Sequence, residues 1–157
     1  VQIAKIVGCN VIATAGSDEK CRFATDLGAD LVIHHYNDNI AEEVKKFCGK
    51  VDVVFEHVGS ATWDVSMKVL SNGGRVVTCG ATTGANVSID LRHLFFKQQT
   101  ILGSTMGDAD TFTQVIKLVE EGQLKPRVEK TFSLDDIASA HEYLENSEQF
   151  GKVVLTL

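Results

Sequence analysis

The amino-acid sequence predicts a doubly wound α/β fold built on a parallel sheet. Short apolar runs rich in β-branched residues alternate with segments whose apolar residues recur at helical spacing. The runs are apolar on both faces, as expected of strands that helices cover on two sides. This alternation is typical of parallel strands joined by right-handed crossovers. The predicted strands are Cys9–Ala15, Leu31–His34, Val51–Phe55, Arg75–Cys79, Thr100–Ser104 and Lys152–Leu157.

Amphipathic segments between these runs are predicted to be helices. Ser17 is a typical N-cap residue, and Ser133 begins a capping signature three residues before Asp136. Glycines follow several of these segments, as they do at helix C-termini. We assign Trp63, Met67 and the phenylalanines to the core. The predicted helices are Val1–Gly8, Asp18–Leu27, Asn39–Phe47, Ala61–Leu70, Ala109–Glu121 and Leu134–Glu145.

The composition is that of an acidic globular domain. The chain has 157 residues, of which 44% are hydrophobic and 23% are charged, and its formal net charge is −6. A domain of this length buries roughly 68–70% of its unfolded surface, so one core is expected. An acidic chain without a cluster of Lys or Arg argues against nucleic acid or an anionic membrane as a partner. No apolar run approaches the roughly 18 residues that a membrane span needs.

Four cysteines stand apart from one another, at Cys9, Cys21, Cys48 and Cys79. Without a C-x-x-C pair they are typical of reduced thiols that behave as small hydrophobic residues, which indicates a cytoplasmic protein. A zinc site made from these residues alone would need one ligand from each of four separate segments, which argues against it.

Glycine occurs in four of the five segments that follow the first five predicted strands. In a doubly wound sheet the ligand binds outside the carboxyl ends of the strands, where glycine lets the backbone turn sharply or approach a ligand. We therefore expect a binding face along this edge, although turn formation alone would also favour glycine there. The segments are Ala15–Ser17, His34–Tyr36, Glu56–Gly59, Gly80–Gly84 and Ser104–Gly107.

The first of these segments favours NADP over NAD. A dinucleotide domain that selects NAD usually has an acidic residue at the end of its second strand, where it binds the ribose hydroxyls. Here that position is Ala15. Ser17 can donate to a 2′-phosphate, and Lys20 can neutralise the phosphate at the start of the next helix. NAD is the alternative, because Lys20 and Arg22 are equally compatible with solvated surface charges.

Six segments together resemble the cofactor-binding half of a known family. They are AKIVGCNVIATAGSDEK, LGADLVIHH, VDVVFEHVG, LSNGGRVVTCGATTG, ILGSTMG and FGKVVLTL. In this order and spacing they resemble the medium-chain dehydrogenase/reductase superfamily, which includes zinc alcohol dehydrogenases and quinone oxidoreductases. The resemblance covers the whole chain. It implies a Rossmann-type domain of an oxidoreductase that transfers hydride between nicotinamide and a small alcohol or carbonyl substrate.

The same resemblance implies a set of cofactor contacts along the expected binding face. By position they are Gly16, Ser17 and Lys20 around the adenosine ribose; His35 or Tyr36 on the adenine side; His57, Val58 and Gly59 along the ribose and pyrophosphate; Cys79, Gly80, Ala81, Ser104, Thr105 and Met106 around the nicotinamide; and Lys152 at the pyrophosphate.

The resemblance also implies self-association. The segment Leu94–Thr105 is similar to one that pairs strand to strand across a dimer in this family. We therefore expect a homodimer or a tetramer, since an apolar strand edge left open would promote aggregation.

The sequence departs from the family pattern because it contains no G-x-G-x-x-G motif. In a complete unit the first strand and this glycine-rich turn precede the first helix, and here Val1–Gly8 reads as the end of that helix. We therefore expect residues 1–157 to be a dinucleotide-binding domain that is incomplete at its N-terminus, and part of a longer protein. The absent strand would lie between the strands that end at Ala15 and at Phe55. The family's catalytic domain would lie outside the chain.

The sequence offers no catalytic or metal-binding group of its own. None of the five histidines has a partner at metal-ligand spacing, and neighbouring His34 and His35 would point to opposite sides of a strand. No G-x-S-x-G motif occurs. Hydride transfer needs no protein nucleophile, since a positioned nicotinamide and a bound substrate suffice. If the enzyme uses zinc, we expect the ion in the longer protein and not on this chain.

Three alternatives stay open at this stage. A zinc-free quinone or enoyl reductase would use the same cofactor domain, although ILGSTMG and FFKQQ are more similar to the zinc-type members. A non-catalytic nucleotide-binding module would lack the catalytic half altogether. An unrelated doubly wound domain, such as a methyltransferase, would be expected to have an acidic residue where Ala15 stands.

Overall fold

The computed structural model describes residues 1–157 and alternates strands with helices along most of the chain. The elements are α1 (Gln2–Ile6), β1 (Ile12–Ala15), α2 (Asp18–Asp26), β2 (Leu31–His34), α3 (Ile40–Cys48), β3 (Val51–Glu56), α4 (Trp63–Val69), β4 (Leu70–Thr78), α5 (Leu91–Phe96), β5 (Thr100–Gly103), α6 (Ala109–Glu120), β6 (Val128–Ser133), α7 (Ile137–Glu145) and β7 (Lys152–Thr156). A short 3₁₀ turn, Leu134–Asp136, precedes α7. No helix is both long enough and apolar enough to cross a membrane.

The chain divides into two compact units. The first consists of Val1–Val32 together with Asp108–Leu157, and the second of Ile33–Gly107. Strands β1 and β2 form a two-stranded sheet, β3, β4 and β5 form a three-stranded sheet in that order, and β6 pairs with β7. The pairs β3–β4, β4–β5 and β6–β7 are all parallel, as the strand–helix alternation predicts.

The second unit packs one face of its three-stranded sheet against α4. Trp63, Leu70 and Val76 are buried at the centre of this contact. Partly buried side chains of Val54, Met67 and Ile101 pack around them. The opposite face exposes large apolar side chains, because successive strand residues point to opposite sides of the sheet. Those side chains are Val53, Phe55 and Leu102.

The first unit is held together by the β6–β7 pair and by aromatic contacts. Phe23 and Phe150 meet edge to face, with ring centroids 5.8 Å apart. The ammonium of Lys130 lies 4.7 Å from the ring centroid of Phe132 and 4.5 Å from that of Tyr143. These cation–π contacts connect β6 to α7 and keep a charged strand residue against apolar neighbours.

Several local predictions are confirmed. Strand β2 has the predicted bounds, and the other predicted strands are present with shifted ends. The Ser17 hydroxyl oxygen accepts a hydrogen bond from the Lys20 backbone N–H at 3.2 Å, so Ser17 is the N-cap of α2. Asn39 caps α3 in the same way, through the backbone N–H of Glu42 at 3.3 Å. The segment at the chain start is helical over Gln2–Ile6, as predicted.

The secondary structure differs from the prediction at three elements. Strand β4 begins at Leu70, where the sequence suggested the end of a helix and a turn. The register with β3 shifts between the pairs Val51–Leu70 and Val53–Arg75, so the extra residues lie in β4, where Gly73 has a φ of 73°. Strand β6 and helix α5 were not predicted. Helix α5 covers Leu91–Phe96, and the strand portion of the segment Leu94–Thr105 is Thr100–Gly103.

The assignment of all phenylalanines to the core is wrong. Five of the eight are exposed, and Phe96 is 79% exposed. The interpretation failed because helical spacing identifies an apolar face but not whether another element covers it. Trp63 is buried and Met67 partly buried, as predicted. The exposed phenylalanines are Phe47, Phe55, Phe95, Phe96 and Phe112.

Candidate functional site

The three parallel strands of the second unit end at the same level. Residues Glu56, Thr78 and Gly103 are register partners at the carboxyl ends of β3, β4 and β5. Backbone hydrogen bonds extend this alignment by one residue, since Cys79 N donates to Glu56 O at 3.1 Å and Ser104 N donates to Thr78 O at 2.9 Å. The segments that follow these strands therefore start from one edge of the sheet, where doubly wound folds bind ligands.

Two of these segments approach each other more closely than residues with side chains would allow. A Cβ atom on Gly59 would lie 2.4 Å from the carbonyl oxygen of Gly84 and 3.1 Å from the Cα of Ala81. A Cβ on Gly80 would lie 2.9 Å from the carbonyl oxygen of His57. Gly59 also has a φ of 94°, which favours glycine. The glycines predicted to line the binding face therefore allow loop 57–60 to pack on loop 81–84.

Hydrogen bonds join the two loops. The carbonyl oxygen of Val58 accepts from both the backbone N–H and the hydroxyl of Thr83, each at 2.8 Å. The Thr83 hydroxyl oxygen also accepts from the backbone N–H of Ala61 at 3.1 Å. Ser60 N donates to the Gly84 carbonyl at 3.1 Å. Thr83, which sequence reasoning did not single out, therefore connects the loop after β3 to the loop after β4.

The buried carboxylate of Glu56 accepts hydrogen bonds from the first of these two loops. Glu56 is 3% exposed, and its oxygens accept from the backbone N–H groups of Val58 and Gly59 at 2.8 and 3.1 Å. They also accept from the hydroxyls of Thr62 at 2.9 Å and Ser66 at 2.6 Å. Burial alone would raise the pKa of Glu56, but these hydrogen bonds to the charged form together hold the pKa below its usual value.

The remaining predicted residues at this edge are open to solvent. The side chains of His57, Cys79 and Ala81 are exposed, as are Ser104 and Thr105. Met106 is 96% exposed and has a φ of 49°, a conformation that is uncommon for residues other than glycine. No nucleophile and base are hydrogen-bonded to each other among these residues. The edge therefore offers backbone groups and small or apolar side chains for binding.

His35 and Tyr36 follow strand β2 and form an exposed aromatic pair. Their ring centroids are 4.4 Å apart in an edge-to-face arrangement, and Tyr36 is 79% exposed. Partial burial, together with the neighbouring His34, lowers the pKa of His35, so its imidazole is neutral over a wider pH range. Asp38 closes the turn by accepting from the backbone N–H of His34 at 3.0 Å.

The predicted residues of the first unit cluster at the start of α2. Gly16 and Ser17 lie between β1 and the helix, and the ammonium of Lys20 donates to the carbonyl oxygen of Ser147 at 2.6 Å. The first turn of α2 also carries two carboxylates, Asp18 and Glu19. The ammonium of Lys20 lies 5.7 Å from the centroid of the Phe150 ring.

The structure thus groups the predicted site residues in two sets. The second unit brings Val58 and Gly59 into contact with the loop after β4, including Ala81, and brings Gly80 against His57. The first unit contains Gly16, Ser17 and Lys20 at one helix start. It also contains Lys152, an exposed residue at the start of β7 whose backbone N–H donates to Arg127 O at 2.8 Å.

The described residues do not form a metal centre. No group of three or more His, Cys, Asp or Glu side chains in residues 1–157 is arranged to hold a metal ion. The four cysteines are free thiols. A catalytic zinc site uses three protein ligands, and no such set is brought together among these residues.

Sequence comparison decides the family. The profile of a family described as zinc-binding dehydrogenase matches residues 1–121. The chain belongs to the zinc-binding dehydrogenase family. This membership agrees with the resemblance to medium-chain dehydrogenases, and it accounts for the strand ends and glycine-rich loops found at one edge of the sheet.

Curated relatives of this zinc-binding dehydrogenase chain are reductases. It is 31% identical over 156 residues to an acryloyl-coenzyme A reductase of Sulfurisphaera tokodaii, a match that covers 99% of the chain and 46% of that protein. It is 28% identical over 165 residues to the quinone oxidoreductase of Homo sapiens, with 99% of the chain and 50% of that protein covered. The chain therefore spans about half the length of the curated relatives it matches.

Solved structures of the same family share the fold. A crystal structure of an NAD-dependent alcohol dehydrogenase superposes with a TM-score of 0.92 at 39% identity, covering 99% of the chain and 46% of that protein. A crotonyl-CoA carboxylase/reductase in complex with NADP superposes with a TM-score of 0.92 at 26% identity, covering 99% and 45%. The predicted Rossmann-type α/β fold is thus confirmed.

Sequence reasoning did not identify the side chains whose hydrogen bonds connect the two loops to each other and to Glu56. Glu56 and Thr83 are named only as members of the segments Glu56–Gly59 and Gly80–Gly84, and Thr62 and Ser66 have no predicted role. A charged residue at the end of an apolar strand was a signal for Glu56, since an ionised side chain is seldom buried without hydrogen-bond partners. No comparable signal identified its hydroxyl donors.

Proposed function

We propose that the chain is the dinucleotide-binding part of an NADP(H)-dependent oxidoreductase, which transfers hydride between nicotinamide and an alcohol or carbonyl substrate. The observation that carries this proposal is the edge of the three-stranded sheet, where β3, β4 and β5 end in register and glycines permit loop-to-loop contact. Membership in the zinc-binding dehydrogenase family supports it. We further propose that residues 1–157 belong to one dinucleotide-binding domain and that the catalytic groups lie in a separate domain.

In this proposal the loops that follow β3, β4 and β5 bind the nicotinamide half of the cofactor. His57, Val58 and Gly59 would run along the ribose and pyrophosphate. Cys79, Gly80 and Ala81 would contact one side of the nicotinamide ring and Ser104–Met106 the other. When bound, the cofactor supplies or accepts the hydride, and the residues of this chain orient the ring.

The segment between β1 and α2 would bind the adenosine half. Ser17 would donate a hydrogen bond to a 2′-phosphate, and Lys20 would neutralise its charge. Ala15 supports this preference, because no carboxylate follows β1 directly. Asp18 and Glu19 in the first turn of α2 favour NAD instead. The similar structures include both an NAD-dependent alcohol dehydrogenase and a reductase in complex with NADP.

Three further residues have proposed roles. The exposed ring of Tyr36, or that of His35 beside it, would stack against the adenine. The exposed ammonium of Lys152 would reach the pyrophosphate. These roles come from the family resemblance and from solvent access, and each predicts a loss of affinity when the side chain is shortened.

Parallel titrations with NADPH and NADH test the cofactor assignment. We expect the purified protein to bind NADPH more tightly, as measured by the change in cofactor fluorescence or by calorimetry. Tighter binding of NADH would overturn the preference for NADP but not the dinucleotide site. Failure to bind either cofactor would overturn the proposed function.

A zinc-free quinone or enoyl reductase is the second candidate. The relatives described as quinone oxidoreductase and acryloyl-coenzyme A reductase favour it. Activity of the longer protein with an alcohol, a quinone and an enoyl thioester would separate the two candidates. Loss of alcohol oxidation after chelation, with recovery on adding zinc, supports the zinc-type enzyme. Undiminished reduction of a quinone or enoyl thioester after chelation supports the alternative.

A further inference from the structure

The carboxylate of Glu56 organises the end of β3 without being accessible to a ligand. It accepts hydrogen bonds from four donors, all neutral, and the Thr62 hydroxyl lies 2.9 Å from both carboxylate oxygens. Two are backbone N–H groups of the loop after β3, at Val58 and Gly59. The other donors are the hydroxyls of Thr62 at the N-cap of α4 and of Ser66 within it. One buried side chain therefore joins a strand end, a loop and a helix.

The two backbone groups held by Glu56 belong to the residues that contact the neighbouring loop. Val58 accepts from Thr83, and Gly59 lies against Ala81 and Gly84. The Gly59 carbonyl in turn accepts from the backbone N–H of Trp63 at 3.0 Å. Contacts thus run without interruption from the carboxylate to loop 81–84, which the proposed function assigns to the nicotinamide side of the site.

We propose that Glu56 is the positioning residue of the dinucleotide site, fixing Val58 and Gly59 so that loops 57–60 and 81–84 present a preformed surface to the cofactor. The proposal rests on the proposed function for the identity of the ligand. At 3% exposure Glu56 acts through the two loop residues and not by touching the ligand. A preformed loop lowers the ordering cost of binding, so loosening it weakens affinity.

The charge of Glu56 matters as well as its shape. An ionised carboxylate is an acceptor at both oxygens, whereas a glutamine of similar size has one acceptor oxygen and an NH₂ group that can only donate. The N–H groups of Val58 and Gly59 both donate to the Oε1 atom, so Glu56→Gln keeps them when its oxygen takes that position, and its NH₂ group then lies against the hydroxyls of Thr62 and Ser66. Both hydroxyls would have to turn and accept, and the two N–H groups would be bound by a neutral amide oxygen, which is a weaker acceptor than a carboxylate.

Glu56→Gln tests the proposal, with Asp52→Asn as its matched control. Asp52 is an exposed carboxylate on the same strand, and it accepts a hydrogen bond from the Ser71 hydroxyl at 3.2 Å. We expect Glu56→Gln to weaken NADPH binding about tenfold or more, equivalent to about 1.4 kcal/mol. Amide hydrogen exchange at Val58 and Gly59 should accelerate, while Val76 in the neighbouring strand keeps its protection. Asp52→Asn should change neither quantity.

Each outcome has a definite consequence. Accelerated exchange at the two amides with an unchanged dissociation constant would overturn the positioning role, as would unchanged exchange in a folded Glu56→Gln protein. If that variant does not fold, Ser66→Ala provides the test, since it keeps the charge and removes one donor. It should weaken NADPH binding at least about twofold, and unchanged binding would overturn the proposal. A wild-type protein that binds no dinucleotide would contradict the proposed function itself. The exchange rates at Val58 and Gly59 do not depend on dinucleotide binding, so they distinguish that outcome from a failure of the positioning role.

Discussion

The ammonium of Lys20 lies 2.6 Å from the carbonyl oxygen of Ser147, a residue 127 positions further along the chain. The backbone of Ser147 has a φ of 56°, a conformation that is uncommon for serine. The side chain proposed to bind a 2′-phosphate is therefore already held by a neutral acceptor. A phosphate carries more charge than a carbonyl oxygen and would compete for the ammonium effectively.

Lys20→Ala should separate the two cofactors. We expect the dissociation constant for NADPH to rise about tenfold, since a charge-assisted hydrogen bond to phosphate contributes roughly 1.5–3 kcal/mol. The constant for NADH should change less than about twofold, because NADH has no 2′-phosphate. Fluorescence titration with both cofactors measures this ratio. Lys45→Ala on α3 is the control for removal of a positive charge. An equal loss of affinity for both cofactors would contradict the role in phosphate binding.

Glu56 should make stability depend on pH in a defined direction. Its folded pKa lies below the usual value, because the hydrogen bonds to its charged form outweigh burial. Unfolding raises the pKa to about 4.3, so the carboxylate stabilises the folded state above that pH. This stabilisation is lost as the pH falls from about 4.3 through the folded pKa.

Urea unfolding of wild type and Glu56→Gln between pH 3.5 and 7 measures this contribution. We expect the wild type to be more stable at pH 7 and the difference between the proteins to shrink at the acid end. A difference that stays constant or grows as the pH falls would contradict the sign of the shift.

The parts of the fold that local sequence determines were predictable. Strand β2 and the caps of α2 and α3 depend on residues within one or two turns of one another. Strand β6 was missed because Glu129 and Lys130 interrupt the apolar run by which strands were recognised. The cation–π contacts of Lys130 with Phe132 and Tyr143 show how tertiary packing accommodates that charge.

The candidate site was predictable where it depends on strand ends and glycine. Gly59 and Gly80 were expected at the edge, and the structure shows what a side chain there would meet. The supporting contacts were not predictable, because they join residues that are distant in the sequence. Lys20 and Ser147 are one such pair, and Val58 and Thr83 are another. Neither hydrophobic periodicity nor a sequence motif indicates which distant residues come into contact.

Gly59→Ala should destabilise the protein more than Gly49→Ala. Both glycines have positive φ, 94° and 81°, so each substitution introduces backbone strain of about 1–3 kcal/mol. A Cβ on Gly49 would meet no atom within 4 Å, whereas one on Gly59 would lie 2.4 Å from the carbonyl oxygen of Gly84. We expect at least about 1 kcal/mol of additional destabilisation for Gly59→Ala from this overlap. Chemical denaturation gives both free energies, and equal values would show that loop 81–84 moves aside freely.

Leu102→Lys tests the proposed self-association through β5. This strand is at one edge of the β3–β4–β5 sheet, and its Leu102 side chain is 43% exposed. An edge of this kind pairs readily with another strand, and a lysine on the edge opposes such pairing. We expect the wild type to form a dimer or tetramer and Leu102→Lys to shift it toward the monomer, as measured by sedimentation equilibrium.

Phe112→Lys is the matched control for Leu102→Lys, since Phe112 is also an exposed apolar residue, at 65% exposure, but lies on helix α6. It should leave the association state unchanged if β5 is the interface. Dissociation by both variants would indicate a general effect of added charge, and dissociation by Phe112→Lys alone would assign the interface to α6. A wild-type protein that stays monomeric at the highest concentration measured would overturn the proposed association. Pairing along β5 would then be too weak to offset the entropy lost when two chains combine.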